Sequence, residues 1–468
     1  MGSLKQETEV VVIGAGPGGY VAAMRAADLG REVLLVEERE RPGGVCLLEG
    51  CIPSKALIGA VEIVDAARRA RGMGIAFGEA AVDLDALRAF TADVVAKLSG
   101  GVAHLLQRRG VELVHGRARF TGPHTLSLEG GGTIEFRRCI IATGSRINLL
   151  PPAYEKPVWS SAEALQLPSL PETLLVVGGG YIGMEMGLVY SGLGSRVSLC
   201  EFHPRLLMGA DTDLVEIMVR DARRRFDEIL LESRVVGVEQ TGAGFAVEIE
   251  SAGRTQKQEY AQILVAIGRK PNTESIGLEA IGLAVDARGH IPVDEAMRTA
   301  IPHIQAIGDA AQGPMLAHKA TREGKVAAEV IAGHPAAFDN RAIPAVVFTD
   351  PEIAWAGLTE REAEAKGIPV KVGRFPLRAL GRARAMGRME GLTKVLSNPE
   401  TGQIVGVGIV GPHASELIAE ATLAIEMGAT IEDLAATIHP HPTLSESLME
   451  AAETAAGTGV HLPPAKKA

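Results

Sequence analysis

The same short pattern of residues occurs twice in this chain of 468 residues. The first copy starts with the apolar segment 10–13, passes through a glycine-rich turn and a helical stretch, and ends in a second apolar segment closed by Glu37. The second copy starts with the apolar segment 174–177 and ends in the same way at Glu201. In both copies the acid lies 23 positions after the first glycine of the turn. The repeat therefore predicts two strand–turn–helix–strand units of the same design.

Both turns follow the spacing Gly-x-Gly-x-x-Gly, with glycines at Gly14, Gly16 and Gly19 and again at Gly178, Gly180 and Gly183. At this spacing the first glycine allows a tight turn, the second lets the backbone approach a pyrophosphate, and the third lets the helix pack on the strand. The pyrophosphate would lie at the helix N-terminus, and Glu37 and Glu201 would each bind a ribose. Two turns without ligands are the alternative, which the duplication disfavours.

The acid of the second unit bears on the choice of nicotinamide. A carboxylate at Glu201 favours the ribose hydroxyl of NAD and repels the 2′-phosphate of NADP. Arg205 lies nearby in sequence and would oppose this preference if it reached the ribose. A solvated surface arginine is the simpler interpretation.

Cys46 and Cys51 are two of only four cysteines in the chain. In a regular helix, residues five apart point about 140° away from each other, which does not allow a disulfide. Gly50 supplies backbone freedom and Pro53 lacks an N–H, so both favour an irregular turn here. The pair, following a dinucleotide fingerprint, suggests a redox disulfide held against a flavin. The other two cysteines, Cys139 and Cys200, lie in apolar segments and are interpreted as buried, inert thiols.

The bulk properties exclude several functions. The net charge is −10, from 47 basic and 57 acidic residues, which argues against nucleic acid as the main partner. No apolar run approaches the ~18 residues of a membrane span, and the leader before the first predicted strand is shorter than a signal peptide. The chain is therefore predicted to be cytoplasmic, where a disulfide is more often catalytic than structural.

A second cluster of reactive residue types lies near the C-terminus, where His439 and His441 are followed by Glu446. A thiol–disulfide enzyme needs a base near neutral pH, and a carboxylate can orient an imidazole. The simpler interpretation is a loop histidine between prolines. Lys55 lies one helical turn after Cys51 and would stabilise a thiolate or a reduced flavin, or else is an exposed helix lysine. The cysteines and histidines together leave a zinc site open as a disfavoured alternative, and no metal is predicted.

These motifs closely resemble the flavoprotein disulfide reductases, and within them the branch that oxidises dihydrolipoyl groups. The resemblance covers the chain from Val10 to about Ala455. It rests on the redox motif at 43–55, a second flavin segment at 306–309 and 313–320, and the base motif at 441–443 with Glu446.

The resemblance implies an α/β protein with two Rossmann-like dinucleotide-binding domains, for FAD and NAD, and a C-terminal α+β dimerisation domain. It implies that residues 1–148 form the first part of the FAD domain, 149–270 the NAD domain, 271–343 the region completing the FAD domain, and 344–468 the interface domain. A proline-rich linker, with Pro151, Pro152, Pro157, Pro168 and Pro171, is predicted between the first two units.

The resemblance also implies the residues that contact each cofactor. Those expected at FAD are Glu37, Lys55, Gly116, Thr143, Gly144, Ser145, Asp309, Met315, Leu316, Ala317 and His318. Those expected at NAD or its approach are Gly178 to Gly183, Glu185, Glu201 and Gly268. Tyr181 resembles a residue that gates the flavin face, with core packing as the alternative. Glu185 resembles the partner of the lysine at 55.

The implied reaction begins when His441, oriented by Glu446, takes a proton from a dihydrolipoyl thiol. The thiolate attacks Cys46 and frees Cys51, which lies against the flavin as a charge-transfer thiolate, and electrons then pass through FAD to NAD. The family is a homodimer in which the base comes from the other subunit. The implied partners are a lipoyl-bearing acyltransferase, a glycine-cleavage lipoyl protein, or free dihydrolipoamide.

One departure from the family pattern lies between the cysteines, where Leu48-Glu49 replaces the usual Asn-Val. An inward-pointing Glu49 would disfavour a nearby thiolate, so Glu49 is expected to point to solvent. Two alternative functions remain open. One is a sister disulfide reductase, although the tail 457–468 lacks the cysteine pair of mercuric reductase and Glu201 argues against the NADP preference of glutathione reductase. The other is a structural docking subunit.

Overall fold

The computed structural model describes residues 5–150, 158–242 and 244–463. Its first sheet carries the first glycine turn. The elements of its first segment are β1 (Lys5–Ile13), α1 (Pro17–Asp28), β2 (Val33–Glu37), α2 (Gly44–Glu49), α3 (Cys51–Ala70), α4 (Leu84–Arg108), β3 (Glu112–His115), β4 (Ala118–Gly122), β5 (Thr125–Leu128), β6 (Thr133–Ile141) and β7 (Ser145–Ile147). The strands lie in the order β3-β2-β1-β6-β5-β4, with β1 parallel to β2 and β6. Residues Val10, Val11 and Val12 are fully buried, as a strand covered on both faces requires.

The second sheet carries the second glycine turn. The middle segment contains β8 (Trp159–Ser160), α5 (Ser161–Leu165), β9 (Thr173–Val177), α6 (Tyr181–Leu193), β10 (Arg196–Cys200), α7 (Thr212–Arg225), β11 (Glu228–Leu230), β12 (Ser233–Gln240), β13 (Phe245–Ser251), β14 (Arg254–Tyr260), β15 (Gln262–Val265), β16 (Arg269–Pro271), β17 (Ile304–Ala306) and α8 (Ala317–Ile331). The parallel order is β11-β10-β9-β15-β8. Strands β12 to β14 form a separate antiparallel sheet, and β17 returns to the first sheet beside β6.

The third sheet belongs to the C-terminal part of the chain. Its elements are β18 (Ala345–Val347), β19 (Glu352–Gly357), α9 (Glu360–Lys366), β20 (Lys371–Pro376), α10 (Gly381–Ala385), β21 (Leu392–Ser397), β22 (Ile404–Gly411), α11 (Ala414–Met427), α12 (Ile431–Ala436) and α13 (Glu446–Ala456). The antiparallel order is β18-β19-β22-β21-β20. Helices α11 and α13 pack on this sheet, and its aliphatic side chains share one core with theirs.

The predicted class is confirmed: two α/β sheets whose glycine-turn strands pair in parallel, the first with the antiparallel strands β4 and β5 at one edge, followed by an α+β unit. Strand β1 begins at Lys5, earlier than expected, because its polar first half pairs with the start of β6. Linker residues Pro151, Pro152 and Pro157 lie outside the described residues, while Pro168 and Pro171 lie between α5 and β9. The domain boundaries at 148, 270 and 343 stay predictions.

One helical stretch in the described part of the chain, Gly44–Met73, is long and apolar enough to cross a membrane by length and composition alone. The sequence expectation that no segment reaches this limit is therefore wrong for this stretch. The core helix of a soluble protein passes the same test. This stretch is broken at Gly50, carries the cysteine pair, and packs against α4 and α6. We therefore assign it to the fold of the first unit.

A buried lysine joins the second unit to the C-terminal sheet. Lys394 in β21 is 1% exposed, and its Nζ lies 2.6 Å from Asp211, 2.8 Å from Asp213 and 2.7 Å from Glu360. Burial opposes the charge, but hydrogen bonds to these carboxylates raise the pKa of Lys394 above its usual value. The ammonium thus neutralises acids from α7, α9 and the residue before α7.

Lys394→Met is expected to lower the free energy of unfolding by about 3–5 kcal/mol, because buried Asp211 would lose its counter-ion while Asp213 and Glu360 would keep only Arg374. Urea denaturation at saturating cofactor measures this. Lys257→Met is the control, since Lys257 pairs with Glu239 on the surface, and its midpoint should stay at the wild-type value. Equal midpoints for the two variants would contradict the role of Lys394.

Candidate active site

The cysteine pair lies at a break between two helices. Helix α2 ends at Glu49, Gly50 has φ −144° and ψ −112°, and α3 begins at Cys51. A Cβ at Gly50 would lie 2.8 Å from the carbonyl oxygen of Val45. The two sulfur atoms are 2.6 Å apart. The irregular turn that the pair requires is therefore present.

The two thiols have opposite tendencies to ionise. The hydrogen bond from Cys46, helped by the ammonium of Lys55 and opposed by burial, lowers the pKa of Cys51 to about 7. The same hydrogen bond, together with burial, raises the pKa of Cys46 well above its usual value. A thiolate of low pKa is the better leaving group in disulfide exchange. The negative charge of the reduced pair therefore belongs on Cys51.

Glu49 is partly exposed to solvent, as the sequence expectation requires, but it also has a partner that the sequence did not indicate. Its carboxylate forms an ion pair with the guanidinium of Arg39, and the two side chains are 31% and 34% exposed. Both residues line the same cavity as the cysteines.

Lys55 connects the cysteine helix to the rest of the molecule. Its Nζ lies 2.7 Å from Glu185 Oε2 and 4.3 Å from the centre of the Phe348 ring. Glu185, in α6, is 3% exposed, and its Oε1 accepts a hydrogen bond of 3.1 Å from the Phe348 N–H. Lys55 is thus held in place, and the alternative of a free helix lysine is wrong.

A cavity of about 590 Å³ runs from the first glycine turn to the cysteines. The predicted residues on its wall are Gly14, Gly16, Glu37, Cys46, Cys51, Lys55, Gly116, Thr143, Gly144, Ser145, Tyr181, Glu185, Asp309, Met315 and Ala317. Tyr181 is 43% exposed, which excludes core packing. Gly19 lies beneath the turn, and the side chain of His318 turns away, since its Nε2 lies 2.7 Å from the carbonyl oxygen of Pro344. Leu316 is the N-cap residue of α8 and does not line the cavity.

The wall of this cavity fits a dinucleotide such as FAD. A Cβ at Gly14 would lie 2.4 Å from the Ala142 carbonyl oxygen, and one at Gly44 would lie 2.5 Å from the Gly16 Cα. Helix α1 begins with Pro17, which has no N–H, and no side chain of the described residues caps it, so the N–H groups of Gly18 and Gly19 point towards the place of a phosphate. The site therefore offers close backbone approach and an anion-binding helix end together.

Both predicted ribose acids also brace their own turns. Glu37 Oε2 accepts from the Ala15 N–H at 2.7 Å and its Oε1 accepts from the Arg39 N–H at 2.9 Å. In the second unit, Glu201 Oε2 accepts from the Gly179 N–H at 2.5 Å and its Oε1 from the His203 N–H at 2.7 Å. Each carboxylate keeps spare lone pairs for a ribose hydroxyl.

The second turn has the same geometry as the first. A Cβ at Gly183 would lie 1.9 Å from the Gly178 carbonyl oxygen, whereas one at Gly180 would meet open space. Gly268, with φ +98°, follows β15 beside this turn. Arg205 donates to the carbonyl oxygens of Met208 and Ala210. Because this guanidinium closes a loop, it does not extend freely towards the ribose acid.

Sequence reasoning missed two residues, Arg269 and Asn272, that hydrogen-bond the cavity wall at Ser145 and Thr143. Arg269 Nε donates to Ser145 Oγ at 2.8 Å, and Ser145 Oγ donates to Asp309 at 2.5 Å. Asn272 Nδ2 donates to the Thr143 carbonyl oxygen at 3.1 Å. The only available signal was their position one and four residues after Gly268.

The C-terminal histidines have different surroundings. The Nδ1 and Nε2 of His439 lie 2.9 Å from the Thr437 carbonyl oxygen and 2.7 Å from Glu420. His441 Nδ1 lies 2.8 Å from Glu446 Oε1, its side chain is 77% exposed, and its Nε2 has no partner within residues 5–150, 158–242 and 244–463. Burial opposes the charge of Glu446, but the Thr443 N–H and His441 hold the pKa of Glu446 below its usual value. Of these two histidines, His441 is therefore the one with a free nitrogen and a charged orienting group.

The remaining reactive residues are explained by packing. Cys139 and Cys200 are 0% and 2% exposed, and burial raises the pKa of Cys200 to about 12. Neither His441 nor Glu446 lines the cavity that contains the cysteine pair, so within one chain these groups do not form a zinc site.

Comparisons with known proteins agree with this geometry. Residues 8–324 match the family described as pyridine nucleotide-disulphide oxidoreductase, and residues 343–452 match its dimerisation domain. The chain belongs to this family. The family uses FAD and NAD(H), and the dimerisation domain supports a homodimer.

Several curated relatives are similar over nearly their whole length. The chain is 45% identical to dihydrolipoyl dehydrogenase of Vibrio cholerae, covering 98% of both chains. It is 46% identical to the dihydrolipoyl dehydrogenase of Geobacillus stearothermophilus, covering 99% of both. Among solved structures it resembles LpdA from Mycobacterium tuberculosis, with 29% identity, a TM-score of 0.87 and coverage of 95% and 99%. The flavoprotein disulfide reductase RclA from Escherichia coli matches with 26% identity, a TM-score of 0.85 and the same coverage.

In the reduced protein, alkylation of Cys51 by iodoacetamide should reach half its maximal rate near pH 7, since the thiolate is present above its lowered pKa. Cys46→Ala should move this midpoint upward towards 9, the ordinary value for a thiol, because it removes the largest cause of the shift. Mass spectrometry of the alkylated peptides follows each cysteine, with the buried Cys139 as the unreactive internal control. An unchanged midpoint in Cys46→Ala would contradict this explanation.

Proposed function

We propose that this chain oxidises dihydrolipoyl groups to the lipoyl disulfide and passes the two electrons to NAD. The observation that carries this proposal is the thiol pair on the cavity wall, with Cys51 beside the paired ammonium of Lys55. The full-length similarity to dihydrolipoyl dehydrogenases supports the substrate.

The residues of the first unit and of α8 would hold FAD, and those of the second glycine turn would hold NAD. When bound, FAD supplies a two-electron connection between the thiol pair and the nicotinamide. Asp309 and Ser145 would fix one end of the flavin site, and Glu37 would bind the ribose at the other. Lys55 would favour negative charge at the cysteine end.

The chain's own groups perform the thiol chemistry. His441 Nε2 takes the proton of a substrate thiol, and the resulting thiolate attacks Cys46 Sγ, so that the Cys46–Cys51 bond breaks and Cys51 leaves as a thiolate. The second substrate thiol attacks the substrate sulfur of the mixed disulfide. This forms the lipoyl disulfide and releases Cys46, which takes the first proton from His441, and the imidazole then accepts the proton of the second substrate thiol. The raised pKa of Cys46 and the lowered pKa of Cys51 match this final state.

We propose that His441 acts on the cavity of a second subunit. Its ring is 77% exposed and does not line the cavity of its own chain. The free Nε2 faces outward from a domain that matches a dimerisation domain. The proposed physiological substrates are the lipoyl groups of an acyltransferase or of a glycine-cleavage lipoyl protein, and the proposed location is the cytoplasm.

Cys51→Ser should abolish NADH formation from dihydrolipoamide while FAD remains bound, because serine cannot form the disulfide and still fits the turn. Activity is measured from NADH absorbance and flavin content from the visible spectrum. Cys200→Ser is the matched control, since this cysteine is remote from the reaction, and it should keep its activity. Retained activity in Cys51→Ser would overturn the disulfide mechanism.

A mixed dimer tests whether the base acts across the subunits. One chain carries Cys51→Ser and the other His441→Gln, with two affinity tags to isolate the heterodimer. If the base acts in trans, one of the two sites is intact and about half of the wild-type activity returns, whereas both homodimers remain inactive. A heterodimer as inactive as its parents would place His441 and the cysteines in the same subunit's site.

A further inference from the structure

The ion pair between Arg39 and Glu49 spans two separate parts of the cavity wall. Arg39 lies in the loop after β2, where its N–H binds Glu37 and its carbonyl oxygen lies 3.1 Å from His115 Nδ1. Glu49 is the last residue of α2, directly before the break at Gly50. Both side chains line the cavity, so their contact joins the ribose end of its wall to the cysteine end.

The two backbone segments that carry Arg39 and Glu49 are held in place by their own contacts, whereas the ion pair between the side chains is accessible to solvent. The loop is tied to β2 through Glu37, and the start of α2 lies against the first glycine turn, where a Cβ at Gly44 would lie 2.5 Å from Gly16 Cα. The two side chains, at 34% and 31% exposed, remain free to separate. A contact of this kind opens readily and is weakened by salt.

We propose that the Arg39–Glu49 ion pair is a latch across the flavin cavity, which retains bound FAD and neutralises the charge of Glu49 beside the cysteines. This proposal rests on the proposed function, because it assigns FAD to the cavity. The departure from the family pattern at Glu49 is then compensated by Arg39.

The second part of the proposal concerns charge. Glu49 is three residues after Cys46 and two before Cys51, and a bare carboxylate there would oppose a thiolate. With Arg39 in contact, the cysteines face a neutral pair. Removal of either partner therefore has different consequences: Glu49→Gln opens the latch and leaves no acid, while Arg39→Met opens it and leaves the acid unpaired.

The rate of FAD release tests the latch. The holoenzyme of each variant is diluted, and free FAD is separated by ultrafiltration at successive times. Both Glu49→Gln and Arg39→Met should release FAD about three- to fivefold faster than wild type, as expected for a partly exposed ion pair. The charge-swapped variant R39E/E49R should return to within about twofold of wild type. The differences should vanish in 0.5 M salt, because the pair is then screened.

The matched control is Arg196→Met, which breaks a partly exposed ion pair with Glu172 in the second unit. It should release FAD at the wild-type rate. Equal release rates for wild type, Glu49→Gln and Arg39→Met, or failure of the swapped variant to recover, would overturn the latch. A wild-type protein that binds no FAD would overturn the proposed function itself, so the two failures are distinguishable.

The pH dependence of Cys51 alkylation tests the neutralisation. In the reduced holoenzyme, Arg39→Met should raise the alkylation midpoint by several tenths of a pH unit, whereas Glu49→Gln should leave it near the wild-type value. A merely structural role for the pair would change both variants alike. The same midpoint in both variants would overturn this part of the proposal.

Discussion

The ion pair between Lys55 and Glu185 joins three parts of the chain at the redox cysteines. Lys55 lies on the cysteine helix of the first unit, Glu185 on the first helix of the second unit, and the Phe348 N–H that binds Glu185 belongs to the C-terminal part. Glu185 is almost fully buried, and a carboxylate that is buried in this way needs such partners. The Lys55 ammonium, which favours the Cys51 thiolate, therefore also fixes the position of the second unit relative to the cysteines.

The duplication explains how one local design serves two cofactors. In both units the third glycine of the turn lies so close to the first that a Cβ would come within 1.8 or 1.9 Å of its carbonyl oxygen. Each terminal acid binds a backbone N–H of its turn as well as one beyond its strand. The acids are thus part of the turn's structure before any ribose binds. Their loss would affect the shape of the phosphate site as well as the ribose contact.

The sequence predicted the features of the structure that depend on residues close together in the chain. Strand, turn and helix follow from local apolar patterns and glycine spacing, and the break at Gly50 follows from the reach of two cysteines. It did not predict contacts made between distant segments. Glu49 was expected in solvent because its partner, Arg39, lies ten residues earlier in a loop whose path has no periodicity. Arg269 was missed for the same reason, since its role depends on the pairing of β16 with β7.

The two histidines show how position decides chemical role when local sequence does not. Both stand before a proline, yet His439 is held at both ring nitrogens, while His441 keeps one free and exposed. The same part of the chain exposes apolar side chains, with Ile438 at 95%, Met427 at 76% and Leu423 at 62%. A second subunit that covers such a surface gains hydrophobic stabilisation. If that contact also delivers His441 to the opposite cavity, assembly and catalysis depend on one surface, so that dissociation of the dimer removes the base from both sites at once.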